Sequence, residues 1–446
     1  MRREHGRRTP LCAAALCLIL LFLYVATLPV MAAESGIPDL SRANAVYLYN
    51  VENDSVLASK NVDLPLFPAS TVKIMTGLVA VEALQGRLHE TVTVTRAMVD
   101  AASGFRMYLE AGETVTAEQL LYAALCGGYN DACVVLAYLV AGSVDAFVAQ
   151  MNVHAAALGM SSTVYTNPTG MHNDRMVTTA ADTLLLARAA MENETYMEIV
   201  STVKYTMAEN NVAPSRTFYN RNAMIARNTT ARYYNAHVTG MNAGTTTEGG
   251  YCVVASASGG EDGLHYLCIV MGAGEDPEEM GGTVYSYATA NELLDYAMDN
   301  FGMVNILDTE TVLSHVEVGL TEQNETVGLL PQRAVSVYLP TDISGEDLQY
   351  RVMLNDENIK APIRAGDVLG MVSVSYEGKL LTTVNLCAAE DVDASPFLAG
   401  LDRISQYTTG RRFLLMCGYA VLLLLGYFVW IPYLRKRRNR KRAKYF

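Results

Sequence analysis

One stretch of the chain combines the start of a helix with a candidate nucleophile and its base: Pro68-Ala69-Ser70-Thr71-Val72-Lys73-Ile74-Met75-Thr76. Apolar residues recur at helical spacing from Ser70 to Leu84, which predicts a helix with Ser70 at its N-cap or in its first turn. Residues three apart share one face of a helix, so the Lys73 amine can reach the Ser70 hydroxyl. A desolvated lysine can remove the serine proton and so make the oxygen a nucleophile. By itself, the pair also fits an ordinary helix cap beside a solvated lysine.

The segments around this helix predict a sheet flanked by helices, an α/β arrangement of the α+β type. A hairpin is expected over residues 44–60, and the apolar runs 251–256 and 264–271 are typical of paired strands. Helical periodicity marks four segments between the hairpin and these strands, and one after them: 117–126, 130–141, 143–158, 178–192 and 284–301. From about residue 305 the pattern changes to short β-rich stretches, which predicts a small all-β domain over 305–394.

The N-terminal end of the chain is basic and apolar, whereas the long segment after it is acidic. Residues 1–33 combine four Arg, an apolar run and small residues at the end, which is the layout of a secretory signal peptide. A retained N-terminal anchor is the alternative. Residues 34–410 hold 19 basic and 45 acidic residues, a net charge of −26. Such a surface repels phosphate backbones, so the composition argues against nucleic-acid binding.

The C-terminal end predicts a membrane anchor. Residues 413–434 carry no charge over 22 positions, which as a helix would span about 33 Å and cross a bilayer. Residues 435–446 form a basic tail that should stay in the cytoplasm, and residues 395–412 are expected to be a linker. A helix lying flat on the bilayer is the weaker alternative, because the apolar residues are continuous. We therefore expect a single-pass protein of the cell membrane, with residues 40–303 and 305–394 outside the cytoplasm.

The cysteines and histidines predict neither a metal site nor a cofactor. Three of the eight Cys fall in the predicted signal and membrane segments, and the other five lack the spacing of metal ligands. These five are expected to be buried thiols, with a disulfide between Cys252 and Cys268 left open.

Further segments accompany the Ser70–Lys73 pair in a recognisable order: Ala45-Val46-Tyr47-Leu48-Tyr49-Asn50, Asn130-Asp131-Ala132, Asn167-Pro168-Thr169-Gly170-Met171-His172 and Gly250-Tyr251-Cys252-Val253-Val254-Ala255-Ser256-Ala257. The β-rich domain adds Ala361-Pro362-Ile363-Arg364-Ala365-Gly366. Over roughly residues 40–390 the chain resembles the serine D-alanyl-D-alanine carboxypeptidases, the low-molecular-mass penicillin-binding proteins. The resemblance implies a penicilloyl-serine-transferase fold, an antiparallel sheet between helical layers. It also implies an enzyme that trims peptidoglycan stem peptides and binds β-lactam antibiotics.

The same resemblance suggests roles for individual residues. It makes Ser70 the nucleophile and Lys73 the base, and it makes Asn130 the residue that orients the substrate. It also implies a group of substrate-binding residues near the third family motif: Asn242, Gly244, Thr245 and Thr246. The backbone N–H groups of Ser70 and Thr245 would then form the oxyanion hole.

Two of the three family motifs depart from the usual pattern. Gly128-Tyr129-Asn130 stands where the family has Ser-x-Asn, and Asn242-Ala243-Gly244 stands where it has Lys-Thr-Gly. A hydroxyl and a cation are therefore replaced, although the substrate ends in a carboxylate that needs a cation or strong donors. A substitute cation would have to come from elsewhere in the chain, and three arginines are candidates: Arg216, Arg221 and Arg227.

The loss of the third-motif cation also affects the expected base. Without a like charge nearby, and with acidic residues abundant, Lys73 is expected to be harder to deprotonate. Two hypotheses remain. The chain is a membrane-tethered carboxypeptidase, or it is a catalytically weak or inactive homologue that binds wall peptides or acts as a scaffold. Changing Gly128 to Ser together with Asn242 to Lys is expected to raise the acylation rate.

Overall fold

The computed structural model describes residues 36–225, 231–260, 262–277, 282–323, 325–409 and 411–442. The predicted signal peptide, 1–33, lies outside the described residues, as do the last four residues of the basic tail. The chain divides into two compact units, Met1–Phe301 and Gly302–Phe446, and each is described here by itself.

The first unit is built on a five-stranded antiparallel sheet in the order β2-β1-β9-β8-β7. Strands β8 and β9 are buried on both faces, which explains their continuous apolar sequence. Strand β7 lies at one end of this order, so only one of its edges is paired within the sheet. The bounds are β1 (Ala45–Asn50), β2 (Ser55–Lys60), β7 (Val238–Thr246), β8 (Gly250–Gly259) and β9 (Leu264–Ala273).

The same unit contains three short antiparallel strand pairs: β3 (Thr91–Thr93) with β4 (Thr114–Thr116), β5 (Lys204–Met207) with β6 (Arg216–Tyr219), and β10 (Glu275–Asp276) with β11 (Thr283–Val284). Its eight helices are α1 (Val72–Ala83), α2 (Arg96–Ala101), α3 (Ala117–Leu125), α4 (Asn130–Ala141), α5 (Val144–Ala157), α6 (Ala180–Met191), α7 (Glu194–Ser201) and α8 (Tyr285–Asn300), counted over the described residues.

Helix α1 is the central helix of this unit. It packs against α3, α4, α5, α6 and α7, and all of its residues from Val72 to Val81 are buried. Each fully buried side chain such as Ile74, Met75 or Leu78 contributes about 1.5–3 kcal/mol relative to exposure to water. The helix therefore provides a rigid base for the residues at its N-terminal end, where Ser70 and Lys73 lie.

Side-chain caps explain where several neighbouring helices begin. The Thr116 hydroxyl accepts a hydrogen bond from the Gln119 N–H, and the Gln119 side chain accepts one from the Thr116 N–H, which forms a capping box at α3. At α6 the Thr179 hydroxyl accepts from the Asp182 N–H at 3.1 Å. The polar residues that precede these apolar helices thus set their first turns.

The second unit begins with a β-rich domain, as expected. Its five-stranded antiparallel sheet has the order β13-β14-β18-β17-β16, and β12 pairs with β15. Buried Val372, Val374 and Leu386 lie in its core. The bounds are β12 (Phe301–Leu307), β13 (Ser314–Glu317), β14 (Thr326–Pro331), β15 (Val335–Pro340), β16 (Leu348–Leu354), β17 (Val368–Tyr376) and β18 (Lys379–Ala388).

Two helices end the described chain. Helix α9 (Pro396–Thr409) lies in the segment 395–412 that was expected to be a linker. Helix α10 (Arg411–Arg442) contains the stretch Phe413–Arg437, which is long and apolar enough to cross a bilayer. The predicted α+β fold, the all-β domain and the C-terminal apolar helix are thus confirmed.

No disulfide joins Cys252 to Cys268, the pairing that the sequence left open. Both are buried free thiols on neighbouring strands, but the register pairs Cys268 with Ala255 rather than with Cys252.

Candidate active site

A cavity of about 350 Å³ lies where the N-terminal ends of α1 and α4 meet strand β7. Its walls include every residue that the sequence suggested for the site: Ser70, Lys73, Asn130, Asn242, Gly244, Thr245 and Thr246. These residues are up to 176 positions apart in the chain, from Ser70 to Thr246. The fold therefore brings the whole predicted set to one place.

Ser70 and Lys73 are in hydrogen-bond contact. Ser70 lies in the 3₁₀ turn Ala69–Thr71 directly before α1, and the Lys73 Nζ donates to its Oγ at 3.2 Å. The amine also donates to the carbonyl oxygen of Thr169 at 2.6 Å, a second contact that holds it in place. Ala69 has a φ of +49°, an unusual backbone conformation for a residue with a side chain. The nucleophile candidate thus follows a locally strained residue.

The surroundings of the Lys73 amine favour its neutral form. Its side chain is 1% exposed, and this burial lowers the pKa of Lys73 below the usual value for lysine. The Coulombic effect of Cys133 opposes this, while the positive charge of Arg221 lowers the pKa further. Burial also raises the pKa of Cys133 to about 11, so that side chain is a neutral thiol at neutral pH. Burial and the charge of Arg221 therefore act against the expected effect of the missing third-motif cation, and neither was visible in the charge count.

Two glycines allow the chain to close tightly around Ser70. A Cβ at Gly244 would lie 2.7 Å from the Ser70 N and 2.9 Å from its Cα, so only glycine lets β7 come this near. Gly170 has a φ of +82°, and a Cβ there would lie 2.9 Å from the Ser70 Cα. These contacts bring the end of β7 against the N-terminal turn that carries Ser70.

Asn130 holds a loop at the mouth of the cavity. Its side chain is 5% exposed, and the Nδ2 donates to the carbonyl oxygen of Ser103 at 2.8 Å. Its backbone N–H donates to the carbonyl oxygen of Phe105 at 2.7 Å. The next residue, Asp131, accepts the backbone N–H groups of Met107 and Leu109 at 3.1 and 3.0 Å. The beginning of α4 thus positions the loop 103–109, which the sequence alone did not connect with the site.

Asn242 has an unpaired polar atom in this cavity. Its side chain is 5% exposed, and its Oδ1 is buried without a hydrogen-bond partner among the described residues. A buried amide oxygen without a partner costs free energy, so the side chain is suited to a polar ligand.

The structure distinguishes between the three candidate cations. The Arg216 guanidinium forms an ion pair with buried Glu113, so its charge is already neutralised by a carboxylate. Arg227 lies outside the described residues. Arg221 lines the cavity together with Ser70 and Asn242. Apart from Lys73, it is the one cationic residue among the described residues that form the wall.

Comparison with known proteins gives this arrangement a family. The sequence pattern of the family described as D-alanyl-D-alanine carboxypeptidase matches residues 32–275, more than half of the chain. The pattern described as penicillin-binding protein 5, C-terminal domain, matches residues 301–394. This chain belongs to the D-alanyl-D-alanine carboxypeptidase family.

Individual members of the carboxypeptidase family support this assignment over most of the chain. D-alanyl-D-alanine carboxypeptidase DacF of Bacillus subtilis is 28% identical over 363 residues, 81% of this chain and 88% of the relative. DacC of Escherichia coli is 29% identical over 388 residues, 84% of this chain and 90% of the relative. The crystal structure of penicillin binding protein 5 from Haemophilus influenzae matches with a TM-score of 0.56 at 25% identity, covering 80% of this chain and 98% of that one.

Proposed function

We propose that this protein is a membrane-anchored serine D-Ala-D-Ala carboxypeptidase that removes the terminal D-alanine of peptidoglycan stem peptides through an acyl-serine intermediate. The observation that carries the proposal is the Lys73 amine, buried and hydrogen-bonded to the Ser70 hydroxyl at 3.2 Å in an open cavity. A desolvated amine in this position has the geometry and the lowered pKa of a general base.

In the acylation step, the Ser70 oxygen attacks the carbonyl carbon of the penultimate D-alanine while its proton passes to neutral Lys73. The Ser70 N–H lies in the first turn of a helical segment, where N–H groups lack an intrahelical partner, and it can stabilise the oxyanion with the Thr245 N–H. The peptide C–N bond then breaks. The Lys73 ammonium returns the proton to the leaving amine, and free D-alanine departs.

In the deacylation step, water attacks the ester carbonyl and the C–O bond to Ser70 breaks. One proton of the water passes to Lys73, which then returns a proton to the serine oxygen, so the enzyme regains its initial state. The hydrogen bond from Lys73 to the Thr169 carbonyl keeps the amine beside Ser70 through both steps. Because Gly128 has no hydroxyl, Lys73 itself carries the proton in each direction.

Strand β7 offers a docking edge for the peptide. It is the terminal strand of the sheet, and Asn242, Gly244, Thr245 and Thr246 near its end line the cavity. An extended peptide can add to such an edge through main-chain hydrogen bonds, which places its carbonyl beside Ser70. The Asn130 and Asn242 side chains would contribute further hydrogen bonds from the cavity walls. These positions support the proposed substrate-binding roles.

We further propose that the C-terminal helix anchors the enzyme in the cell membrane. Its apolar side chains are exposed along the stretch from Leu414 to Leu434, as a helix in lipid requires. The basic tail, 435–446, would remain in the cytoplasm, and residues 40–303 and 305–394 would lie outside it. Cleavage would then take place next to the membrane. Helix α9 exposes Phe397, Leu401 and Ile404 directly before this anchor.

A catalytically weak homologue that binds wall peptides is the second candidate. It is supported by Gly128 and Asn242, which stand where the family resemblance implies a serine and a lysine. Incubation of the full-length protein with a penicillin, followed by intact mass measurement, distinguishes the active enzyme from the binding protein. A covalent adduct on Ser70 and D-alanine release from a stem-peptide mimic support the enzyme. Peptide binding without adduct or release supports the binding protein. Ser70→Ala is the control.

A further inference from the structure

We infer that His172 is a positioning residue, which in its protonated form holds the end of strand β7 against the loop 167–174. The inference rests on the proposed carboxypeptidase function and adds a pH-dependent step to it, because substrate binding weakens as His172 loses its proton. Three observations carry it: the ring of His172 contacts two segments besides its own loop, it lies between two carboxylates, and the segments it joins lead into the cavity.

The His172 ring joins three segments of the first unit. It packs in a T-shaped arrangement against the Phe67 ring, with ring centres 4.7 Å apart. Its Nε2 lies 3.0 Å from the Asp174 Oδ1 in its own loop, and its Nδ1 lies 3.8 Å from the Glu248 Oε2 in the turn between β7 and β8. Among the described residues these are the two charged groups within ion-pair distance of the ring, since Phe67 is uncharged.

The two carboxylate-bearing segments that meet at His172 and Glu248 reach the cavity within three positions of the chain. His172 follows Thr169, which lines the cavity and holds the Lys73 amine through its carbonyl oxygen. Glu248 follows Thr246, the last residue of β7 and another residue of the cavity wall. The contact between His172 and Glu248 therefore sets the position of the β7 end relative to the loop that holds Lys73.

The loop that carries His172 is fixed by its own hydrogen bonds. The Asn167 Oδ1 accepts the Thr169 and Gly170 N–H groups at 3.1 and 2.9 Å. The Asn167 Nδ2 donates to the Met171 carbonyl oxygen at 2.9 Å. His172 thus projects from a firm support, so we expect a change in its charge to act on the turn after β7 rather than on its own loop.

Only the protonated ring attracts both carboxylates. A neutral imidazole carries one N–H, so a ring that donates to Asp174 presents a lone pair to Glu248. The Nδ1 of His172 is buried and has no hydrogen-bond partner among the described residues, so its interaction with the Glu248 charge depends on a proton at this nitrogen. The imidazolium has an N–H on each nitrogen and is attracted to both groups. Imidazole is the side chain whose charge ordinarily changes between about pH 5 and 8, which sets the range of the test.

The exposure of the two carboxylates sets the size of the effect. The Asp174 side chain is 95% exposed, so water screens its pairing with His172. The Glu248 side chain is 46% exposed and the His172 side chain 26%, so this pair has the greater weight. A partly exposed ion pair of this kind changes an equilibrium constant by about twofold to fivefold.

The test measures peptide affinity as a function of pH. The ligand is a peptide that ends in D-Ala-D-Ala and has its amino groups acetylated, so its own charge stays constant between about pH 5.5 and 8.5. Calorimetry on full-length Ser70→Ala protein reports binding without turnover. From the acidic to the alkaline end of this range, the affinity should fall by about twofold to fivefold more than it does after His172→Gln is added. Any contribution of Lys73 is common to both proteins, so their difference reports on His172.

Further variants assign the effect to this ion pair. Glu248→Gln should remove the same part of the pH dependence, and the double variant with His172→Gln should lose no more than either single variant. His172→Lys keeps a positive charge across the range and should retain at alkaline pH the affinity that the parent has at acidic pH. His154→Gln is the matched control and should change nothing, because His154 pairs with Glu82 at 3.1 Å outside the cavity.

Equal pH dependence in the parent and the His172→Gln proteins would overturn the inference, and so would additive losses in the double variant. If His172→Gln fails to fold, Glu248→Gln decides alone, because it removes the same ion pair from its more exposed side. A His172-dependent change in affinity in a protein whose parent releases no D-alanine would contradict the proposed function and leave the positioning role intact. Absence of peptide binding at every pH would contradict both.

Discussion

Gly128 and Arg221 share one space at the wall of the cavity: a Cβ on Gly128 would lie 3.2 Å from the Arg221 Cδ. Gly128 also has a φ of +73°, a backbone conformation that favours glycine. At this position of the second family motif, both the backbone conformation and the nearby Arg221 side chain therefore favour glycine. The expectation drawn from the sequence was that Gly128→Ser together with Asn242→Lys raises the acylation rate, and this geometry leads to a separate expectation for the serine alone.

Gly128→Ser should lower stability without raising the acylation rate. The left-handed backbone costs about 1 kcal/mol for a residue with a side chain, and crowding against Arg221 adds to it. Gly86 has the same φ of +73° but nothing within 4 Å of its would-be Cβ, so Gly86→Ser is a matched control for the backbone cost alone. Urea unfolding and penicillin acylation rates measure both effects. Faster acylation at unchanged stability would contradict this prediction, because it would show that the Arg221 side chain can move away from a serine side chain at position 128 without a cost in free energy.

Arg221→Gln should shift the pH dependence of acylation to higher pH. Acylation requires neutral Lys73, so its rate rises as pH increases through the pKa of that amine. The Arg221 charge lowers this pKa, although burial is the larger cause, and removing the charge therefore raises the pKa. The midpoint of the acidic limb then moves upward, as measured by penicillin acylation across pH. Arg96→Gln should leave the midpoint in place, and an unmoved midpoint in Arg221→Gln would contradict the coupling.

Gly244→Ala should reduce acylation by about a hundredfold or more, because a displacement of roughly 1 Å at the reacting atoms has an effect of this size. The new Cβ would lie 2.7 Å from the Ser70 N, so Ser70 or strand β7 has to move. Gly345→Ala, with nothing within 4 Å, is the control for adding a methyl group in open space. Normal acylation by Gly244→Ala protein of normal stability would show that the close approach is not needed.

Removal of the chain after Ala394 should release the protein from membranes. The shortened chain lacks α9 and the apolar stretch Phe413–Arg437, the features on which the proposed anchor depends. Extraction with alkaline carbonate should leave the full-length chain in the pellet and the shortened chain in the supernatant. If both chains pellet alike after the wash, another segment holds the protein to the membrane.

The sequence predicted those features that depend on local geometry. The contact between Ser70 and Lys73 follows from their spacing along a helix, and the paired strands β8 and β9 follow from two apolar runs around a turn. Within the predicted all-β domain, strand β14 contains Gly328 and Pro331, residues that usually interrupt strands, so its own sequence does not mark it as a strand. The segment 395–412 was expected to be a linker, although Phe397, Leu401 and Ile404 recur at helical spacing in the helix that the structure forms there.

Features that depend on long-range packing could not be predicted in the same way. The lowered pKa of Lys73 follows from burial by elements distant in sequence, which a count of charges does not include. The position of Arg221 depends on the buried contacts of Asn220 and Asn222. The sequence listed Arg221 and Arg216 as equal candidates, and only the structure shows that Arg216 is paired with Glu113. That Asn130 and Asn242 line the same cavity was expected only from the family resemblance, because nothing in the local sequence of either residue indicates it.

Intact mass of the full-length protein after incubation with a penicillin tests the role of Ser70 most directly. A serine activated by buried Lys73 should gain one covalent penicilloyl group, located on Ser70 by peptide mapping and absent from Ser70→Ala protein. The rate of adduct formation should rise with pH as Lys73 loses its proton. Unchanged mass at every pH at which the protein stays folded would contradict an acyl-serine enzyme.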